Sequence, residues 1–234
     1  MSRLSSPSGI AIGPILFIIA LLAILAGAIA AGSGGFGQNT SSVNARVAAS
    51  EIINYGNQVE SATHRMLANG VDPLNLSFRH NIVRVDGTGN WGTNYNPNCA
   101  ASSCEMYNIN GGGMQDSANF TPYGNGTGAV SNAVSGSVIF MVFGVPNLGT
   151  SANELMMVLW NVSSDVCAEI NKMVQFTDSG VSQVGSANYY WAGGGNTAVP
   201  STVWTQGYAF SGANVTGKKQ FCHSPYYYHA ILIN

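Results

Sequence analysis

Charge is what this chain most lacks. Asp, Glu, Lys and Arg make up only 8% of its 234 residues, where a soluble domain usually carries roughly 25%. The eight Lys and Arg side chains are scattered and the net charge is −2. Such a surface offers no basic field, so no nucleic-acid partner is expected. Catalytic signatures are missing too. No serine sits in a G-x-S-x-G elbow and no H-E-x-x-H occurs. The GGG runs at 111–113 and 193–195 lack the Lys-Ser/Thr that completes a phosphate loop. The four histidines are His64, His80, His223 and His229, the last two flanking the SPYYY segment. Pairing one of them with Asp86, Asp116, Asp165 or Asp178 is the acid–base arrangement that the residue types leave open. For His64 a place on a helix surface is the simpler reading. The expectation is no enzyme and no cofactor.

What is present is apolar and neutral polar. Apolar residues reach 46%, enough for a core, and glycine is abundant at 29. Asn and Ser take over the solubilising role of the missing charges. The length suits one domain of ordinary size plus an appendage.

Cys99, Cys104, Cys167 and Cys222 allow three pairings. Zinc ribbons need CxxC spacing, which is absent, so no metal is expected. Disulfides in an oxidising compartment are expected instead. We prefer Cys99–Cys104 within CAASSC and Cys167–Cys222 as a long-range staple.

Ile10 to Ala31 carries no charge. As a helix it would measure about 30 Å, the depth of a bilayer's hydrocarbon core, and it exceeds the roughly 7–15 residues of a signal-peptide core. The expectation is a membrane span with lipid as its partner. Arg3 would stay in the cytoplasm and everything after about Gly32 would lie outside. The small residues Ala26, Gly27, Ala28 and Ala30, with Ile18 in mid-span, would let helices pack closely. Ala28-Ile29-Ala30 also has the form of an A-x-A cleavage site, and a signal peptide is the alternative.

AGSGGFG at 31–37 reads as a flexible joint. Beyond it, Val43, Val47, Ile52, Tyr55, Val59, Ala62 and Met66 recur mostly at steps of three or four. That spacing predicts an amphipathic helix over 38–70. Thr40, Ser41 or Ser42 would cap its start, and Asn69-Gly70 would stop it.

In the remainder, residues 76–85 and 137–145 and the final YYYHAILIN read as strands. Leu155, Val158, Leu159, Val162, Val166, Ile170 and Val174 follow helical spacing. They predict one helix after Pro146, with Ser151 and Glu154 as a capping box. The clustered aromatics, including Tyr190, Trp191, Trp204 and Tyr227, have two readings. One is a surface for a sugar or a protein. The other, and the simpler, is a cross-strand ladder.

An apolar helix continued by an amphipathic one and then a β-rich head resembles the type IV pilin and type II secretion pseudopilin superfamily. The resemblance is clear over the first 70 residues. It implies a short leader 1–9 cut at Gly9, or alternatively at Gly13, then a transmembrane helix and joint 10–37, an amphipathic helix 38–70 and an extracytoplasmic head 71–234. It implies an α+β fold in which the N-terminal helix packs on an antiparallel sheet with one further helix. It also matches the Cys167–Cys222 bond to the family's disulfide near the C-terminus. The family's acidic residue at the fifth position after the cut would fall on Pro14 or Ile18, and neither is acidic. The resemblance therefore implies a minor or divergent subunit of an inner-membrane-anchored filament, with self-association or other pilin-like subunits as partners. The alternative is a single-span binding or adhesion module that does not assemble.

Overall fold

The computed structural model describes residues 42–78, 96, 98–114, 138–150, 152–159, 161–184, 188–189, 208–223 and 225–233. The chain divides into two compact units, Met1–Asn44 and Ala45–Asn234. The second holds nearly all of the described residues.

Helix α1 runs over residues 42–68. Within the second unit its dry face is Ala45, Ala48, Ala49, Ile52, Val59, Ala62 and Met66. These follow one another at helical steps, and the small residues let the helix approach the sheet closely. Its end matches the expected stop. Gly70 takes φ +89, its N–H bonds Leu67 O, and Val71 N–H reaches back to Met66 O. That pair of bonds satisfies the helix's orphan carbonyls, and the left-handed position favours glycine. The expected apolar face needs correction at its start. Val43 and Val47 are 56% and 51% exposed, because the buried stripe passes through the alanines and not through the valines.

Among the described residues seven strands form one sheet in the order β3-β5-β1-β2-β7-β6, with β4 also pairing β1. The strands are β1 Val138–Gly144, β2 Glu154–Leu159, β3 Ser182–Val184, β4 Asn188–Tyr189, β5 Tyr208–Ser211, β6 Gln220–His223 and β7 Tyr226–Leu232. Helix α2, Ser164–Met173, lies between β2 and β3 in the chain.

The expected fold class is corrected on two counts. The sheet is mixed and not antiparallel, since β1 pairs β5 in parallel at Phe143–Tyr208 and Gly144–Ala209. The expected membrane-spanning helix is not found among the described residues. Among the described residues no helix is long and apolar enough to cross a membrane. The exposed face of α1 is mostly polar, carrying Arg46, Glu51, His64 and Arg65, and α2 has only 10 residues. Residues 10–37, to which the span was assigned, lie outside the described residues. So do the leader candidates Gly9 and Gly13, and Ile18, Ala26, Gly27, Ala28 and Ala30.

The single helix expected over 151–174 is also corrected. Glu154–Leu159 is the central strand β2, buried along its whole length. It pairs antiparallel with β1 on one side and β7 on the other. A central strand covered on both faces needs a continuous apolar run, and LMMVL supplies one. The same letters satisfy an i, i+3, i+4 pattern, so periodicity alone does not separate the two cases. Asn161 at φ 58 then turns the chain, a left-handed conformation that asparagine tolerates. Helix α2 starts after Ser163, with Asp165 in its first turn and Lys172 in its last. Both charges suit the helix dipole. The strands expected at 137–145 and at the C-terminus are β1 and β7. Of the strand expected over 76–85, residues 76–78 are described, and Ser77 makes an isolated parallel bridge to Glu105.

Gly56 marks how tightly α1 seats on the sheet. A Cβ there would lie 2.5 Å from Nδ1 of His229. Gly→Ala inside a helix normally gains about 1 kcal/mol. Here Gly56→Ala is expected to destabilise by about 1–3 kcal/mol, because His229 is fully buried and has no room to move. Thermal melting of the variant checks this, and a raised melting temperature would contradict the packing.

Candidate functional site

Alternation along β7 sends its side chains to two buried faces. Tyr228 joins an aromatic cluster with Phe143, Phe210 and Phe221, at ring-centroid distances of 5.3, 4.9 and 5.3 Å. Tyr227 and His229 point the other way, towards α1, and meet the polar residues there. His229 Nε2 lies 3.1 Å from Glu60 Oε2, and its Nδ1 lies 2.9 Å from the Tyr227 hydroxyl. The same hydroxyl lies 3.1 Å from Gln220 Oε1. Lys219 donates to the other Glu60 oxygen, and His64 Nε2 stands 3.6 Å from it. A carboxylate–imidazole–phenol chain therefore links α1 to β7 and β6.

The electrostatics follow from that geometry. Burial pushes the Glu60 carboxyl up, but hydrogen bonds from Lys219 and His229 outweigh it and hold the pKa below the usual value. Burial lowers the His229 pKa, and Glu60 offsets this only in part. Burial, reinforced by the Glu60 charge, raises the Tyr227 phenol above its usual value. A neutral imidazole then donates from Nε2 to Glu60, while its Nδ1 and Gln220 Oε1 are both acceptors within reach of the single phenol proton.

Such a chain is a familiar acid–base device, yet Tyr227 and His229 have 0% exposure. No reacting atom can come within hydrogen-bond reach of them without unseating α1. The chain is a structural clamp. Glu60→Gln should weaken the folded state by about 2 kcal/mol, since charge-assisted bonds to two partners are lost. The carboxylate's contribution is present above its unfolded pKa of 4.5 and is lost as pH falls through the depressed folded value. Denaturant melts at pH 7 and pH 3 test both statements. An unchanged midpoint at pH 7 would contradict the clamp.

The cysteines pair as preferred. Cys99 and Cys104 are bonded with Cα atoms 5.6 Å apart, and Cys167 and Cys222 with Cα atoms 5.4 Å apart. The second bond is reinforced. The Asn171 side-chain amide both donates to Cys222 O at 2.7 Å and accepts from Cys222 N–H at 2.8 Å. It thereby copies a strand neighbour on β6, the last strand in the sheet order, and covers part of a pairing edge.

Of the expected aromatic surface, Tyr190, Trp191 and Trp204 lie outside the described residues. Tyr227 is fully buried in the polar chain and presents no surface. Of the histidine–aspartate pairs left open, His223 and Asp178 meet, Nδ1 to Oδ1, at 2.5 Å. The Glu60–His229 contact was not anticipated. Its partners lie 169 residues apart, and only the polar break at His229 within an otherwise apolar final strand hinted at a buried partner.

One cleft of about 300 Å³ opens where α1 ends, between Asn69–Asp72 and the loop closed by Cys99–Cys104. Among the described residues no group of His, Cys, Asp and Glu has a metal-holding arrangement. No protein-family model, curated protein or solved structure matches the chain.

Proposed function

We propose that this protein is a non-enzymatic structural subunit, pilin- or pseudopilin-like, of a membrane-anchored filament with its head outside the cytoplasm. The observation that carries this reading is α1. A helix that directly follows an uncharged stretch lies along the sheet by a face of alanines and is clamped to the last strands through Glu60. An element joined so firmly to the head can transmit load from an assembly segment to it. Two disulfides support an oxidising location. A buried acid–base chain closed to substrate supports a role without catalysis. Residues 10–31, with small side chains at Ala26, Gly27, Ala28 and Ala30, are the contact segment in this reading. Their partners are lipid and neighbouring subunits.

The test is crosslinking of an Ala28→Cys variant in its native host. The reading expects a ladder of multimers linked through that position. Monomer alone, at a protein level matching wild type, would sink assembly.

A further inference from the structure

We infer that the cleft at the end of α1 is a binding site for a neutral saccharide. Its polar lining is Asn69, Asp72, Asn75, Asn98, Ser103 and Asn110. Four carboxamides dominate that set, and each carries both donors and an acceptor. Vicinal sugar hydroxyls also donate and accept, so the match is one of chemistry. The lining contains no Lys or Arg, which disfavours anions. Its single carboxylate, Asp72, falls short of the several oxygen charges that hold a divalent cation. Val71, Ala100 and Ala101 also line the cleft and offer an apolar strip for the C–H face of a sugar ring. A volume of about 300 Å³ stands at the lower end of small-molecule pockets, which suits one or two rings.

The walls are set before any ligand arrives. On one side the helix stop fixes Asn69 and Gly70. Asp72 Oδ1 accepts from Leu74 N–H at 2.8 Å and sets the turn Pro73–Asn75. Buried Asn96 donates to both Leu74 O and Leu76 O, at 2.7 and 2.8 Å. On the other side stands the Cys99–Cys104 bond. Gly111 packs so closely that a Cβ would lie 2.2 Å from Glu105 O. Preformed walls spare the ordering cost of binding. The side chains of Asn69 and Asn110 remain exposed and reachable.

This inference goes beyond the assembly role and does not depend on it. A chain that stays monomeric and binds sugar would end the filament reading and keep this one. The test is side-chain amide NMR on the full-length chain in sugar-free buffer. The probes are neutral hexoses, N-acetylhexosamines and their disaccharides, each at about 20 mM, enough to fill a site with Kd on the order of 1 mM. Calcium chloride and inorganic phosphate are the competing probes. We expect saturable shifts at Asn69, Asn75 and Asn110 with at least one neutral sugar, and at least tenfold weaker binding in Asn75→Ala and Asn110→Ala. Wild-type spectral dispersion in both variants shows that they fold, and Asn69→Leu, which fills the mouth instead of emptying it, should also abolish the shifts. No response to any sugar, an equal response in the variants, or a stronger response to calcium or phosphate would overturn the inference.

Discussion

Cys167→Ser is expected to destabilise the head by about 4 kcal/mol. The bond joins α2 to β6 across 55 residues of sequence, and the loop-entropy relation gives roughly that figure for such a loop. Both cysteines are buried, at 3% and 0% exposure, so the serine would also place a hydroxyl in an apolar setting. Cys222→Ser should cost about the same. The double variant should cost little more than either single one, because the same bond is lost each time. Cys99→Ser removes a bond that closes a loop with a separation of only 5 residues and should cost about 2 kcal/mol. Urea melts of the four variants check the ranking. Equal losses from Cys99→Ser and Cys167→Ser would show that loop entropy is not what these bonds contribute. After loss of the long-range bond, Asn171 still holds the Cys222 backbone with two hydrogen bonds. The helix should therefore stay docked at low temperature and detach on heating.

The second large effect is a loss of stability as pH rises. Glu154 lies at the start of β2 with 0% exposure. One carboxyl oxygen accepts from Val145 N–H at 2.8 Å, and the other has no partner among the described residues. Burial raises the pKa from 4.5 to about 7, against the opposing pull of backbone N–H groups of Val145 and Glu154 itself. The folded state thus keeps a proton that the unfolded chain releases above its own pKa. Stability from this group is fully present below pH 4.5 and is lost progressively up to about pH 7. The total is about 3 kcal/mol, or roughly 5–10 °C in melting temperature for a domain of this size. Glu154→Gln keeps an acceptor for Val145 and carries no charge. It should match wild type at pH 4.5 and exceed it by about 3 kcal/mol at pH 8. A wild-type protein whose stability is flat over this range would show that Glu154 is solvated or paired. Glu60 works in the opposite sense at lower pH, so the wild type should be most stable in mildly acidic solution.

These two residues also show where sequence reading succeeded and where it stopped. The cysteine pairing was legible because CAASSC leaves room for a short loop and the remaining pair is then fixed. The end of α1 was legible because Asn69-Gly70 is local chemistry, complete in a few residues. β1 and β7 were legible as apolar runs between turns. Glu154 was misread. Three residues after Ser151 it looks like half of a capping box, yet it opens a buried strand. What decides its role is the pairing of β2 with β1 and β7, partners distant in sequence. The same limit hid the clamp, since nothing near Glu60 announces His229. Val43 and Val47 were assigned to the dry face by hydrophobicity alone, whereas close packing on the sheet selected the smaller alanines. Over residues 10–37 the sequence supplied length and hydrophobicity, and these suggested a span that no described helix supplies.

The proposed assembly role rests on one contact segment, and electron microscopy of cells expressing the chain tests it most directly. Cells expressing the full chain should shed filaments labelled by an antibody to the head, and a chain lacking residues 10–31 should leave none, although its head keeps both disulfides. Label confined to single particles in the full-length sample, or filaments that persist without residues 10–31, would contradict the account.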